Sequence, residues 1–169
     1  INGLGVREGF VLDMGGGSVQ VTAVSDALPG RSVSLRLGAL YIAEAHLGFD
    51  SAKPGAVKKL RNRLDEELAD LDWFRAGKGM ELSAIGGTVR NLASIVQREE
   101  AHPLDSVDNY LLPARRVHDL ADQLWRLSSA QRRDISGLQA DRADIIHAGA
   151  IVYSALLEHS GFDHIRVSR

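Results

Sequence analysis

Three consecutive glycines, Gly15-Gly16-Gly17, stand between two stretches of chain built for strands. Before them, Phe10 to Asp13 is a short apolar run ending in an acid. After them, Val19, Val21 and Ala23 alternate with Ser18, Gln20 and Thr22. A period of two is the signature of a half-buried strand. The glycines therefore predict a tight turn between two antiparallel strands, with Asp13 at the end of the first. Ser32 to Leu37 alternates again, with Val33, Leu35 and Leu37 on one face, and Leu28-Pro29-Gly30-Arg31 reads as the turn before it. Together these segments predict a three-stranded meander.

The period then changes. Gly38 to Leu47 reads as a short helix. Pro54 suits the first turn of the next one, in which Val57, Leu60, Leu64, Leu68 and Leu71 recur at spacings of three and four. Met80 to Ile85 predicts a strand. Gly86-Gly87-Thr88 follows, then a helix with Leu92, Ile95 and Val96 inward. The polar stretch from Arg98 to Pro113 predicts a loop. Val117, Leu120, Leu124 and Leu127 mark another amphipathic helix, and Ser136-Gly137-Leu138 a turn. Asp141 to His159 reads as a long helix, apolar on most sides and hence buried. Ile165 to Ser168 predicts a last strand. This order predicts an α/β domain of ribonuclease-H-like type, a mixed sheet flanked by helices, with residues 1–169 forming one domain.

Bulk properties narrow the function. The chain of 169 residues is 44% hydrophobic, with a formal charge of −2. Interspersed charges of both signs argue against a nucleic-acid surface, which carries a basic excess. The chain has no cysteine, which excludes disulfides, thiolate metal sites and cysteine nucleophiles. No apolar run is long enough for a membrane span, and Ile1 to Gly9 lack the features of a signal peptide. A cytoplasmic location is expected.

Two constellations carry chemistry. In Asp13-Met14-Gly15-Gly16-Gly17-Ser18, successive N–H groups of a glycine turn can form an anion-binding nest. Ser18 adds a hydroxyl donor, and Asp13 is placed to hold Mg²⁺ beside a bound phosphate. In Gly86-Gly87-Thr88-Val89-Arg90, a glycine turn precedes a helix, whose free N–H groups and dipole favour an anion. Thr88 can cap that helix or donate to phosphate, and Arg90 can fork onto phosphate oxygens. Each motif alone also reads as an ordinary turn or cap. The six histidines show no metal-ligand spacing, Asp141, Arg142 and Asp144 read as charge at a helix start, and Trp73-Phe74 reads as core.

Two glycine-rich phosphate turns in this order of elements are the layout of actin-like ATPases and sugar kinases. Within that group the chain resembles the exopolyphosphatase/guanosine-pentaphosphate phosphatase family. The resemblance rests on VLDMGGGSVQV (11–21), SVSLRLGALYIAEAHL (32–47), AIGGTVRNLA (84–93) and ISGLQADRADIIHAGAIV (135–152). It implies the second of two ribonuclease-H-like domains around a cleft, with the first domain of the same protein preceding it. It implies Mg²⁺-dependent removal of terminal phosphates from polyphosphate or a phosphorylated guanosine nucleotide. Asp13 would bind the metal and orient water. Gly15, Gly16, Gly17 and Ser18 would hold one phosphate, with Gly86, Gly87, Thr88 and Arg90 bordering the same cleft. Arg142 would support the site indirectly. A homodimer is left open; no membrane and no nucleic acid is expected as partner.

The chain departs from that family at two positions. Gln20 stands where the family tends to have Glu, and Tyr41 where it commonly has Arg. These departures motivate an alternative, a non-catalytic sensor of phosphate or nucleotide with the same fold. An actin-like kinase or ATPase is a third reading.

Overall fold

A computed structural model describes residues 6–103 and 106–168. Alternation builds β1 (Gly9–Met14), β2 (Val19–Ser25) and β3 (Leu28–Leu35) as a meander. Asp13 pairs with Gln20 and Met14 with Val19, so the glycine turn closes the hairpin. The second turn lies earlier than its Pro-Gly pair suggests. Asp26 and Ala27, at φ 53° and 63°, make the reversal. Leu28, Pro29 and Gly30 already belong to β3. As β3 is an edge strand, Pro29 can sit in it without breaking a ladder on its outer side.

The remaining strands are β4 (Glu81–Ile85), β5 (Leu111–Pro113) and β6 (His164–Val167). Their order across the sheet is β3-β2-β1-β4-β6-β5. The β1–β4 and β4–β6 pairs are parallel and the others antiparallel. The stretch expected to be a loop thus supplies an edge strand, whose Leu112 is fully buried.

The helices are α1 (Ala39–Ile42), running into a π turn at Ala43–Leu47, α2 (Pro54–Leu68) and α3 (Gly87–Glu99). They continue with α4 (Ala114–Leu124), α5 (Ser129–Arg133) and α6 (Ile146–Ser160). Phe10, Leu12, Val21, Leu82 and Ile165 from the sheet join Leu64, Leu92, Leu120 and Leu156 from the helices in one core. Val6, Val11 and Val24 form a small cluster of their own. Helix α6 packs against α1, α2, α3 and α4, which is why it is apolar on nearly every side.

Helix α6 starts later than its apolar pattern suggests. Ala140–Arg142 forms a separate 3₁₀ turn, and Ile145 departs from helical geometry at φ −125°, ψ −11°. Arg132 holds this segment. It is fully buried and donates from Nε to the Ala143 carbonyl at 2.6 Å. Its other nitrogens reach the carbonyls of Leu124, Leu127 and Phe49. The guanidinium itself, fully buried, finds its hydrogen-bond partners in these carbonyls. One guanidinium therefore ties the end of α4, the loop after the π turn and the approach to α6 together.

Candidate phosphate-binding cleft

The β1–β2 turn is shaped from two sides. Inside it, the Gly15 N–H donates to the Ser18 carbonyl at 2.9 Å. From outside, the start of α1 takes two more of the turn's carbonyls: Ala39 N–H donates to Gly15 and Tyr41 N–H to Gly16. The carbonyls of Gly15, Gly16 and Ser18 are thus occupied. The N–H groups of Gly16, Gly17 and Ser18 have no acceptor among the described residues. All four residues from Gly15 to Ser18 are exposed. Three consecutive unpaired donors in a glycine turn are the material of an anion nest.

The second turn sits directly beside the first because β4 pairs in parallel with β1, placing Asp13 opposite Ile85. Gly86 then turns at φ 112°, close enough to β1 that a Cβ there would stand 2.6 Å from the Met14 carbonyl oxygen. Only glycine fits both the dihedral and the space. Helix α3 starts at Gly87, with no side-chain cap. Thr88 therefore does not cap it; it is the second helical residue. The N–H groups of Gly87, Thr88 and Val89 likewise have no acceptor among the described residues. At a helix N-terminus such donors carry partial positive charge.

Between the two turns lies a cleft of about 310 Å³, lined by Asp13, Met14, Gly15, Gly16, Ala39, Gly86, Gly87, Thr88, Arg142 and Ile145. The structure thus brings Asp13, Gly15, Gly16, Gly86, Gly87 and Thr88 together. Gly17 and Ser18 complete the same turn just outside this lining. Arg90 goes elsewhere. With Asn91, Ser94, Ser106, Val107, Gly137 and Gln139 it lines a neighbouring cleft, because successive residues of a helix point in different directions.

The cation in the cleft is Arg142. Its guanidinium carbon would lie 3.1 Å from a Cβ on Gly87, so the missing side chain there is the room the arginine occupies. Its Nε is buried with no hydrogen-bond partner, and Asp141, at 3.9 Å, makes at most a loose ion pair with it. The pattern of residues 141–159 suggests a continuous helix, which hides this role. The 3₁₀ turn is what aims Arg142 at the cleft. Neighbouring contacts fix the turn's height: Asn91 donates to the Gly87 carbonyl at 2.9 Å, and the Gln139 N–H donates to Asn91 Oδ1 at 2.8 Å.

Gln20 faces the same side of the sheet as its partner Asp13. Its amide nitrogen donates to Ser32 Oγ at 3.1 Å, and Ser32 Oγ lies 2.9 Å from Thr22 Oγ1. Tyr41 is half-buried, with the Arg36 guanidinium 4.4 Å from its ring centre. Below the cleft, Tyr153 is fully buried, and its hydroxyl has no partner. Burial, helped by the charge of Asp13, pushes that hydroxyl's pKa well up, so it stays neutral.

The donor set suits a small hard cation only in a particular way. Among the described residues no group of three or more His, Asp or Glu side chains converges on a metal position. Asp13 offers one exposed carboxylate beside the neutral Gln20 amide. Mg²⁺ fits such a place, since it keeps several waters and takes its other oxygens from substrate phosphate.

A mixed sheet in this order, with a glycine hairpin turn and a glycine turn before a helix facing one cleft, defines a domain of the actin-like, ribonuclease-H-like class. The solved Aquifex aeolicus Ppx/GppA phosphatase superposes with a TM-score of 0.83 at 23% identity, over 96% of this chain and 53% of that one. An exopolyphosphatase from Cytophaga hutchinsonii superposes with a TM-score of 0.80 at 22% identity, over 98% and 54%. The chain belongs to the Ppx/GppA phosphatase family, whose profile matches residues 4–169. It is 30% identical over 158 residues to Exopolyphosphatase 1 of Mycobacterium tuberculosis, covering 92% of this chain and 46% of the relative. It is 25% identical to a putative exopolyphosphatase of Haemophilus influenzae, of which it covers 48%. The chain therefore spans about half the length of these relatives.

Proposed function

We propose that the chain is the phosphate-gripping half of a phosphoanhydride hydrolase acting on polyphosphate or guanosine pentaphosphate, with Mg²⁺ and with a preceding domain of the same protein. The observation that carries this reading is the convergence on one cleft of unpaired N–H groups from two glycine turns, one guanidinium and one carboxylate. The family, and relatives named exopolyphosphatases, support the class of substrate.

In this reading Gly15, Gly16, Gly17 and Ser18 hold one phosphate through N–H groups and the Ser18 hydroxyl. Gly86, Gly87 and Thr88 face it from the other wall, and Arg142 forks onto its oxygens. Donors fixed in advance in this way stabilise the charge that develops on a transferred phosphoryl group. Asp13 orients the attacking water. Mg²⁺ held through Asp13 supplies neutralisation of the phosphate oxygens. The chain by itself binds phosphate but hydrolyses nothing at a useful rate, since the preceding domain supplies the opposite side of the catalytic cleft.

The test is orthophosphate release by the full-length protein from each substrate with Mg²⁺ present. Release is expected, and Asp13→Asn should lower it by about 10²–10⁴-fold without changing the melting temperature. No release from either substrate overturns the reading. A second reading, a binding sensor without chemistry, is favoured by one observation: Gln20 is an amide tied to Ser32 where a carboxylate would serve a metal better. Calorimetric binding of guanosine pentaphosphate or polyphosphate with no turnover would support it.

A further inference from the structure

Helix α6 carries a glycine, Gly149, near its start, with ordinary helical backbone and no positive φ. Glycine weakens a helix interior, so its place there calls for a reason of space. A Cβ on Gly149 would lie 2.4 Å from Thr88 Cγ2, 3.1 Å from Thr88 Oγ1 and 3.2 Å from the Ala39 Cβ. These neighbours belong to the two segments that build the cleft. Thr88 is in the first turn of α3, which carries the second glycine turn. Ala39 opens α1 and donates its N–H to the Gly15 carbonyl of the first. At Gly149, then, the central helix touches the supports of both turns at once.

The contact also fixes a side chain. Thr88 is buried at 4% exposure and lines the cleft, and its hydroxyl has no hydrogen-bond partner among the described residues. Its methyl sits in the notch that Gly149 leaves open. A β-branched side chain in a helix has few rotamers, so holding the methyl in the notch also fixes the hydroxyl.

We infer that Gly149 is a positioning residue: its missing side chain sets the spacing between the Gly15–Ser18 and Gly86–Thr88 turns and locks the Thr88 rotamer. The inference rests on the phosphate reading for its consequence, but the spacing itself can be measured without any ligand. Gly149→Ala drives a methyl against Thr88, whereas Thr88→Ser removes the opposing methyl and keeps a hydroxyl. A cycle of wild type, G149A, T88S and G149A/T88S isolates the contact.

Amide chemical shifts of the chain by NMR are the primary readout. In G149A the amides of Gly15, Gly16 and Gly17 should shift together with those of Gly86 and Gly87, and both sets should return in G149A/T88S. Calorimetry with inorganic tripolyphosphate is the second readout. G149A should bind about tenfold more weakly than wild type, and the double variant within about threefold of T88S. Shifts confined to residues around Thr88, or a loss not recovered in the double variant, overturn the inference. If G149A does not fold, a folded G149A/T88S supports it, and failure of both variants overturns it. If wild type takes up no tripolyphosphate, the phosphate reading fails, while the shifts still decide the role of Gly149.

Discussion

Gly38 presses against Gly16. A Cβ on Gly38 would lie 2.4 Å from the Gly16 carbonyl oxygen and 2.3 Å from the Ser18 nitrogen. The backbone of Gly38 is ordinary, at φ −67°, so the requirement is closeness alone. The contact seats α1 beneath the hairpin turn and lets the N–H groups of Ala39 and Tyr41 reach the turn's carbonyls. With those carbonyls occupied, the turn offers N–H donors outward.

Gly38→Ala should therefore damage the turn more than the fold. Overpacking of this kind costs about 1–3 kcal/mol. The expected result is a lowered but cooperative unfolding transition and a larger loss of tripolyphosphate affinity, read by calorimetry. Unchanged affinity would mean that the turn adapts without its α1 support.

Arg142→Gln tests the cation of the cleft. A hydrogen bond to a charged group contributes about 1.5–3 kcal/mol, so tripolyphosphate affinity should fall by roughly tenfold to a hundredfold. Stability should change little, because among the described residues Arg142 makes one loose ion pair, with Asp141. An equal loss in Arg90→Gln would place the anion across both clefts instead of the first alone.

Gln20→Glu tests whether the amide marks a weakened enzyme. A carboxylate there would stand beside Asp13 and add a second negative charge at the proposed metal position. It could still accept from the Ser32 hydroxyl that now receives the amide N–H. Mg²⁺-dependent phosphate release by the full-length protein should rise, by up to about 10²–10⁴-fold. A fall or no change, measured beside wild type, would sink the idea.

His147 makes stability depend on acid. It is fully buried, with Nε2 3.0 Å from the Gly48 carbonyl and Nδ1 unpartnered. Burial and the nearby Arg132 charge lower its pKa from the ordinary 6.5 of a histidine to about 4. The unfolded chain therefore binds the proton more readily than the folded one between those values. Stability is fully present above pH 6.5 and declines as pH falls toward 4, by on the order of 3 kcal/mol from this group. Urea unfolding at pH 7, 5.5 and 4 should show this decline, and His147→Leu should flatten that part of the curve.

The glycine hairpin, the strand–glycine–helix unit and the core stripes of α2, α3 and α4 are legible in the sequence, because each is set by local periodicity or by what glycine alone permits. Helix α5 was missed, because its five residues are too few to show a core stripe, although Ser128 and Gln131 stand at the spacing of the capping box that opens it. Strand β5 was not: its three residues carry no alternation of their own, and pairing with β6 makes them a strand. Nor was the 3₁₀ turn at Ala140–Arg142, since residues 141–159 read as one continuous helix. The buried Arg132, bound to carbonyls of three separate segments, holds the approach to α6 in the form that leaves Arg142 facing the cleft. Which donors share a cleft was decided the same way. Arg90 and Arg142 are equally basic in the sequence, but a helix turns the first toward the neighbouring cleft and a break in helical geometry turns the second inward. Residue type determines which groups can bind phosphate. Long-range packing, through Gly38, Gly86 and Gly149, determines how close they stand, because close approach depends on atoms far away in the chain.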